Sequence, residues 1–227
     1  MNKIGIIFGY DGSRYFGSQK QNRDLSVQSE IENFFNTDIT LFSRTDRDVS
    51  AIGQFGILEF NFDITAEKIN YWIKKFNYRF ESYIQIKQFF YVNKDIAILS
   101  RTYLYILQKQ EIFFFTKFKI INPEFDLEKF KKILSEFHGT HNFRKFSTKP
   151  SVSTFERTIY SILIEENQDF IKIRITANGF LRKMIRHILG YSFSKAENKK
   201  FVLINPNGLF LESVNFDKTD IEIINVK

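Results

Sequence analysis

No cysteine occurs among the 227 residues, which removes disulfides, thiolate nucleophiles and cysteine-based zinc sites together. Any catalysis has to use oxygen or nitrogen groups. Proline is scarce as well: Pro123, Pro150 and Pro206 all fall where periodicity predicts loops, and no low-complexity linker divides the chain. No apolar run approaches membrane-spanning length, and the opening run at residues 3–8 reaches Tyr10, Asp11 and Gly12 too soon for a signal peptide. A cytoplasmic protein with no membrane partner is expected.

Hydrophobic residues make up 43% of the chain, enough to bury one large core or two smaller ones in series. Thirty-three Lys and Arg against 26 Asp and Glu leave a formal charge of +7, which favours a polyanionic partner, nucleic acid ahead of an anionic membrane surface. Lysine-rich composition also arises by drift in AT-rich genomes, so charge alone does not decide the matter.

Periodicity predicts strands over residues 3–10, 39–43, 54–62 and 84–92, with helices over 26–36 and 66–76 between them. Ser26 caps the first helix, which packs through Val27, Ile31, Phe34 and Phe35. That order is βαββαβ. After residues 93–95 the pattern begins again: strands over 98–108 and 112–118, a helix over 127–137 capped by Asp126, strands over 157–164 and 170–177, a helix over 180–189 closed by Gly190, and a final strand pair.

The fold class that follows is α+β: two ferredoxin-like βαββαβ halves, residues 1–95 and 96–227, forming a mainly antiparallel sheet with helices on one face. Alternation suggests what the other face carries. Residues 98–108 put Arg101, Tyr103 and Tyr105 on one side, and 170–177 put Lys172, Arg174 and Thr176 on one side. If both sets share the face the helices leave open, it forms a basic, aromatic cleft suited to phosphates and splayed bases, although an ordinary solvated face reads the same way.

Two segments carry the chemistry. Residues 10–21, Tyr-Asp-Gly-Ser-Arg-Tyr-Phe-Gly-Ser-Gln-Lys-Gln, follow a strand and precede a helix without the Gly-Lys-Ser/Thr of a phosphate loop. Residues 43–54, Ser-Arg-Thr-Asp-Arg-Asp-Val-Ser-Ala-Ile-Gly-Gln, form a polar turn between apolar strands. Together they resemble the TruA family of tRNA pseudouridine synthases. The resemblance continues through Arg101-Thr102-Tyr103-Leu104-Tyr105, through the block from His138 to Phe143 with Phe146 and Ser147, through Gly179 to Arg186 with Gly190, and into Gly208-Leu209-Phe210-Leu211. Ser18 stands where that family usually has Trp, Ser43 where it has Gly, Ser50 where His is common, and Asp48 where a second Gly is usual.

The resemblance implies an isomerase that converts uridine to pseudouridine in the tRNA anticodon stem-loop, at about positions 38–40, with no cofactor, acting as a homodimer on tRNA. It assigns Asp46 as the nucleophile, Arg186 as the cation paired with that carboxylate, and Tyr103 as the ring that stacks on the base and assists proton transfer at C5. Arg44 would fill the space left by the flipped nucleotide, and Arg101, Tyr105, Lys172, Arg174, Arg182 and Gln19 would bind RNA. The alternative is a tRNA-binding or tRNA-remodelling protein of the same fold, its catalysis impaired at Asp48 and Ser43. His138 and His141 have ligand spacing, but without cysteine or an obvious third ligand no metal is expected.

Overall fold

The computed structural model describes residues 2–21, 25–121, 125–148, 153–219 and 221–223, so Pro123 and Pro150 lie outside the described residues. The fold is α+β with mainly antiparallel strands, and the chain divides into two compact units. One comprises Met1–Leu99 with Leu211–Lys227 and the other Ser100–Phe210. The tail, expected with the C-terminal half, thus belongs to the first unit.

The first unit runs β1 (Asn2–Tyr10), α1 (Val27–Phe35), β2 (Ile39–Leu41), β3 (Ser50–Phe60), α2 (Ala66–Arg79) and β4 (Ile84–Val92), the expected βαββαβ order. Strand β1 lies between β3 and β4, antiparallel to both, and β2 pairs with β3. Ser26 caps α1 by accepting from Ser29 N at 3.1 Å, and Asn36 ends it in the left-handed conformation. Thr65 caps α2 in the same manner, and the helix runs to Arg79, beyond the predicted end at Phe76.

Ile4, Ile6, Leu58 and Phe60 face the helices, where they line a small apolar cavity with Phe35, Ile69, Trp72 and Ile73. The opposite sheet face is aromatic. There Phe55 stacks between Phe42, at 4.8 Å, and Phe216, at 4.2 Å. Phe216 comes from β10 (Leu209–Phe216), beside β3, while β11 (Ile221–Ile223) pairs with β4. The final two strands therefore do not pair with each other, because each finds an edge of earlier strands.

The second unit holds β5 (Ile98–Gln108), β6 (Lys119–Ile120), α3 (Leu127–Ser135), β7 (Gly139–Asn142), β8 (Glu156–Glu166), β9 (Phe170–Ala177) and α4 (Met184–Ala196). Its strands lie in the order β5-β9-β8-β7, and β6 joins β5 in parallel. Helices α3 and α4 meet through Phe130 and Phe193, whose ring centres are 4.5 Å apart.

Three expectations are corrected here. Residues 112–118 do not form a strand: Phe113–Phe115 is a 3-10 turn, and the buried Gln108 side chain accepts from Ile112 N at 3.0 Å and donates to Phe115 O. Helix α4 starts at Met184, not Phe180, because Lys183 adopts a left-handed φ of 59° just before it. Gly190 does not close that helix but lies inside it, where a β-carbon would stand 2.4 Å from Val202 O. The glycine admits a backbone crossing.

A further correction concerns the open face. In the β5–β9 register Arg101, Tyr103 and Tyr105 lie opposite Ala177, Ile175 and Ile173, whereas Leu104 and Ile106 lie opposite Arg174 and Lys172. Directly paired residues project to the same side. The basic and aromatic sets therefore occupy opposite faces of these strands: each alternates as predicted, but one is out of phase with the other.

Candidate functional site

In the first unit the motif residues converge on one turn. Ser43 and Thr45 are buried and Arg44 is exposed, an in–out alternation that leaves Asp46 half-buried at the corner. Gln54, fully buried, donates to Ser43 O at 2.8 Å. Thr45 is held from three directions: its hydroxyl bonds the Tyr10 phenol at 2.8 Å, its N–H donates to Ser18 Oγ at 2.9 Å, and its carbonyl accepts from Ser18 N at 3.2 Å. Gly17, at φ 111°, lies against that carbonyl, where a β-carbon would stand at 3.0 Å. Gly12 fits under Val49, whose carbonyl a β-carbon would overlap at 2.1 Å.

Asp46 opens a tight turn closed by Val49 N donating to Asp46 O at 3.2 Å. Asp48 occupies its third position with φ 65°, a conformation that favours glycine but that aspartate tolerates. Its carboxylate is 3.7 Å from Arg47 Nε, and the Arg47 guanidinium covers the Phe16 ring at 4.4 Å. Gln19 is half-buried in the segment before α1. Tyr10, Gly12, Gly17, Ser18 and Gln54 thus act on the turn without being its reactive group. Their role is invisible in sequence, apart from the motif that groups them.

In the second unit Tyr103 is buried and meets Phe180 edge-on at 5.3 Å. Arg186, half-buried in the first turn of α4, donates from Nε to Ile204 O at 2.9 Å. The neighbouring carbonyl, Asn205 O, accepts from the Tyr105 phenol at 3.1 Å. Tyr105 is 1% exposed, and burial pushes its phenol well above the usual range while the Arg186 charge pulls the other way. The expected RNA contact by Tyr105 is corrected accordingly: its ring supports the loop that Arg186 grips.

Arg101 donates to Asn178 O at 3.1 Å and is half-buried, which lowers its pKa, with the nearby Arg157 charge acting in the same direction. Arg182 is exposed in the turn before α4. Lys172 and Arg174 are half-buried on the opposite strand face, where Arg174 pairs with Glu165 at 2.8 Å. His141 and His138 commit Nε2 to backbone carbonyls, of His138 at 2.8 Å and of Tyr160 at 3.2 Å. Among the described residues no group of three or more His, Asp or Glu could hold a metal, and no helix is long and apolar enough to cross a membrane.

A family model described as tRNA pseudouridine synthase matches residues 133–200. The tRNA pseudouridine synthase A of Phytoplasma mali (strain AT) is 30% identical over 207 residues, covering 86% of this chain and 84% of that protein. That of Malacoplasma penetrans (strain HF-2) is 34% identical over 209 residues, covering 86% and 84%. Among solved structures, a chain of a Cbf5-Nop10-Gar1 complex aligns with a TM-score of 0.43 and 10% identity, over 92% of this chain and 49% of that one, so this chain spans about half its length. The relatives define the class as a pseudouridine synthase, an enzyme of tRNA modification. Within that class the chain belongs to the tRNA pseudouridine synthase A family.

Proposed function

We propose that the protein isomerises uridine in the tRNA anticodon stem-loop with Asp46 as nucleophile and no cofactor, working as a cytoplasmic homodimer. The reaction is self-balanced. The carboxylate adds to the base or to the sugar carbon C1′, the N1–C1′ bond breaks, and the base turns. C5 then bonds C1′ and the bond to the carboxylate breaks, returning Asp46 as the free anion; the C5 proton leaves, and N1 is protonated in its place. Arg186 is the cation that pairs with the carboxylate in this reading, and Tyr103 stacks on the base and assists the transfer at C5. Arg44 takes the space of the flipped nucleotide, since a planar guanidinium stacks on bases and binds phosphate.

The observation that carries this reading is the fixation of Thr45. Anchoring its N–H, carbonyl and hydroxyl at once leaves the flanking Arg44 and Asp46 side chains to project from a rigid turn. The impaired-binder alternative loses support from Asp48, which adopts the left-handed conformation that the turn needs and offsets its charge with Arg47.

The test is tritium release from C5-labelled tRNA, with filter binding on the same preparations. Asp46→Asn keeps the shape and removes the anion, so it is expected to abolish release while preserving binding. An active Asp46→Asn enzyme would sink the mechanism.

A further inference from the structure

Arg101, already expected at RNA, meets a second guanidinium group, that of Arg157, at one point of the second unit. Strand β9 ends at Ala177, and the following residue is pinned to β8 by a pair of hydrogen bonds. Asn178 N donates to Thr158 O at 3.1 Å, and Thr158 N donates to Asn178 Oδ1 at 3.0 Å. Arg101 reaches this turn from β5 and donates to Asn178 O. Arg157, one residue into β8, is half-buried, and its NH1 donates to Thr154 O at 3.2 Å and Glu156 O at 2.6 Å.

Gly179 lies between the two. A β-carbon built on it would stand 3.7 Å from Arg157 Nε and 3.8 Å from Arg101 NH1. The two nitrogens thus come within reach of a single point beside the glycine. Both are guanidinium groups, and two like charges brought together half-buried repel each other. An oxyanion at that point would turn the repulsion into two charge-assisted hydrogen bonds. The glycine itself has no strained φ to explain it, since it lies outside the left-handed region.

We propose that Arg101, Arg157 and Gly179 form a seat for one backbone phosphate of the RNA substrate. The place in the fold suits a phosphate next to the target uridine. Phe180, the residue after the glycine, meets the Tyr103 ring, and Tyr103 follows Arg101 by two residues on the same face of β5. The proposal rests on the reading that the protein binds tRNA. Arg157 fills a role that sequence reasoning did not assign.

The experiment measures tRNA affinity over a series of salt concentrations for wild type, Gly179→Ala, Arg157→Gln and Arg157→Lys. Alanine at 179 meets its neighbours at ordinary contact distance, so its melting temperature is expected to match wild type while its methyl group occupies the phosphate position. Affinity is expected to fall about tenfold in Gly179→Ala and Arg157→Gln, with less loss in Arg157→Lys. The log–log salt slope of Arg157→Gln should drop by roughly 0.7 to 0.9, one phosphate contact. Combining Gly179→Ala with Arg157→Gln in one further variant should lose little more affinity than either change alone, because both remove the same contact.

Wild-type protein that fails to bind tRNA would overturn the functional reading itself. Wild type that binds, with variants of equal affinity and slope, would overturn the phosphate seat alone. Titration with inorganic phosphate separates the sources: weak, millimolar competition shared by all four proteins supports an RNA phosphate. Tight phosphate binding lost in Gly179→Ala, with tRNA affinity unchanged, would mean a free-anion site and overturn the proposal.

Discussion

Ser18 and Thr45 grip each other through both backbone groups of Thr45: Ser18 N donates to Thr45 O at 3.2 Å, and Thr45 N donates to Ser18 Oγ at 2.9 Å. The pair joins the segment after β1 to the turn that carries Asp46, in surroundings where Ser18 is 0% exposed. Ser18 is thus the fastener of the turn that carries Asp46.

Replacing Ser18 with Ala would leave the buried Thr45 N–H without its acceptor, at a cost of about 1–3 kcal/mol. Thermal denaturation should register this as a fall of about 2–4 °C for each kcal/mol in a chain of this size. Turnover should fall more than tRNA affinity, since the variant loosens the Asp46 turn and leaves the basic residues in place. An unchanged melting temperature together with wild-type turnover would remove Ser18 from the site.

Asp48→Gly relieves a non-glycine residue of a left-handed conformation, which is worth up to about 1 kcal/mol. The lost Arg47 contact, at 3.7 Å and largely exposed, offsets little of that. The variant is expected to melt at or above the wild-type temperature and to retain pseudouridine formation. Asp48→Val, β-branched in the same conformation, should melt lower. A glycine variant less stable than wild type would assign the turn's shape to the Arg47 contact instead.

Tyr103→Phe preserves the ring and its edge contact with Phe180 and deletes the hydroxyl. Filter binding should show near-normal tRNA affinity, while tritium release slows by about a hundredfold or more if the phenol assists proton transfer. Wild-type turnover would take the hydroxyl out of the chemistry.

Burial raises the phenol pKa of Tyr15 and of Tyr105, so the fold favours their neutral forms. Their contribution to stability is complete below the ordinary phenol value of about 10 and is lost as pH rises from there toward the raised folded values. In an alkaline titration, part of the phenolate absorbance should therefore appear together with loss of the helical circular-dichroism signal. Tyr15→Phe and Tyr105→Phe should each reduce that late fraction, and a fully folded protein with every tyrosine ionised would contradict it.

The strands legible in sequence were those with strict alternation and clear punctuation. Ile84–Val92, Ile98–Gln108 and Phe170–Ala177 appear with the expected bounds, and the caps Ser26 and Asp126 with them. What alternation cannot supply is phase between strands. Lys172 and Arg174 looked like neighbours of Arg101 and Tyr103 until pairing placed Arg174 beside Leu104. Gly190 looked like a helix stop because its purpose, admitting Val202 O, depends on a residue twelve positions further on. The site was readable as motifs and not as mechanics. Tyr10 and Ser18 hold Thr45 and Gln54 holds Ser43, relations carried by side-chain hydrogen bonds across 11 to 35 residues of sequence separation, and Arg157 gave no signal beyond its charge.

The chain's return to its starting unit sets an order of events during synthesis. Residues Ser100–Phe210 form a continuous unit, and their segment leaves the ribosome before the tail does. The first ninety-nine residues emerge earlier still, yet Phe55 lacks its closest aromatic neighbour until Phe216 has been made. The nascent N-terminal sheet therefore has to wait, with an aromatic face uncovered, through most of translation. A ribosome stalled before residue 211 should display a protease-resistant second unit and a first unit open to digestion.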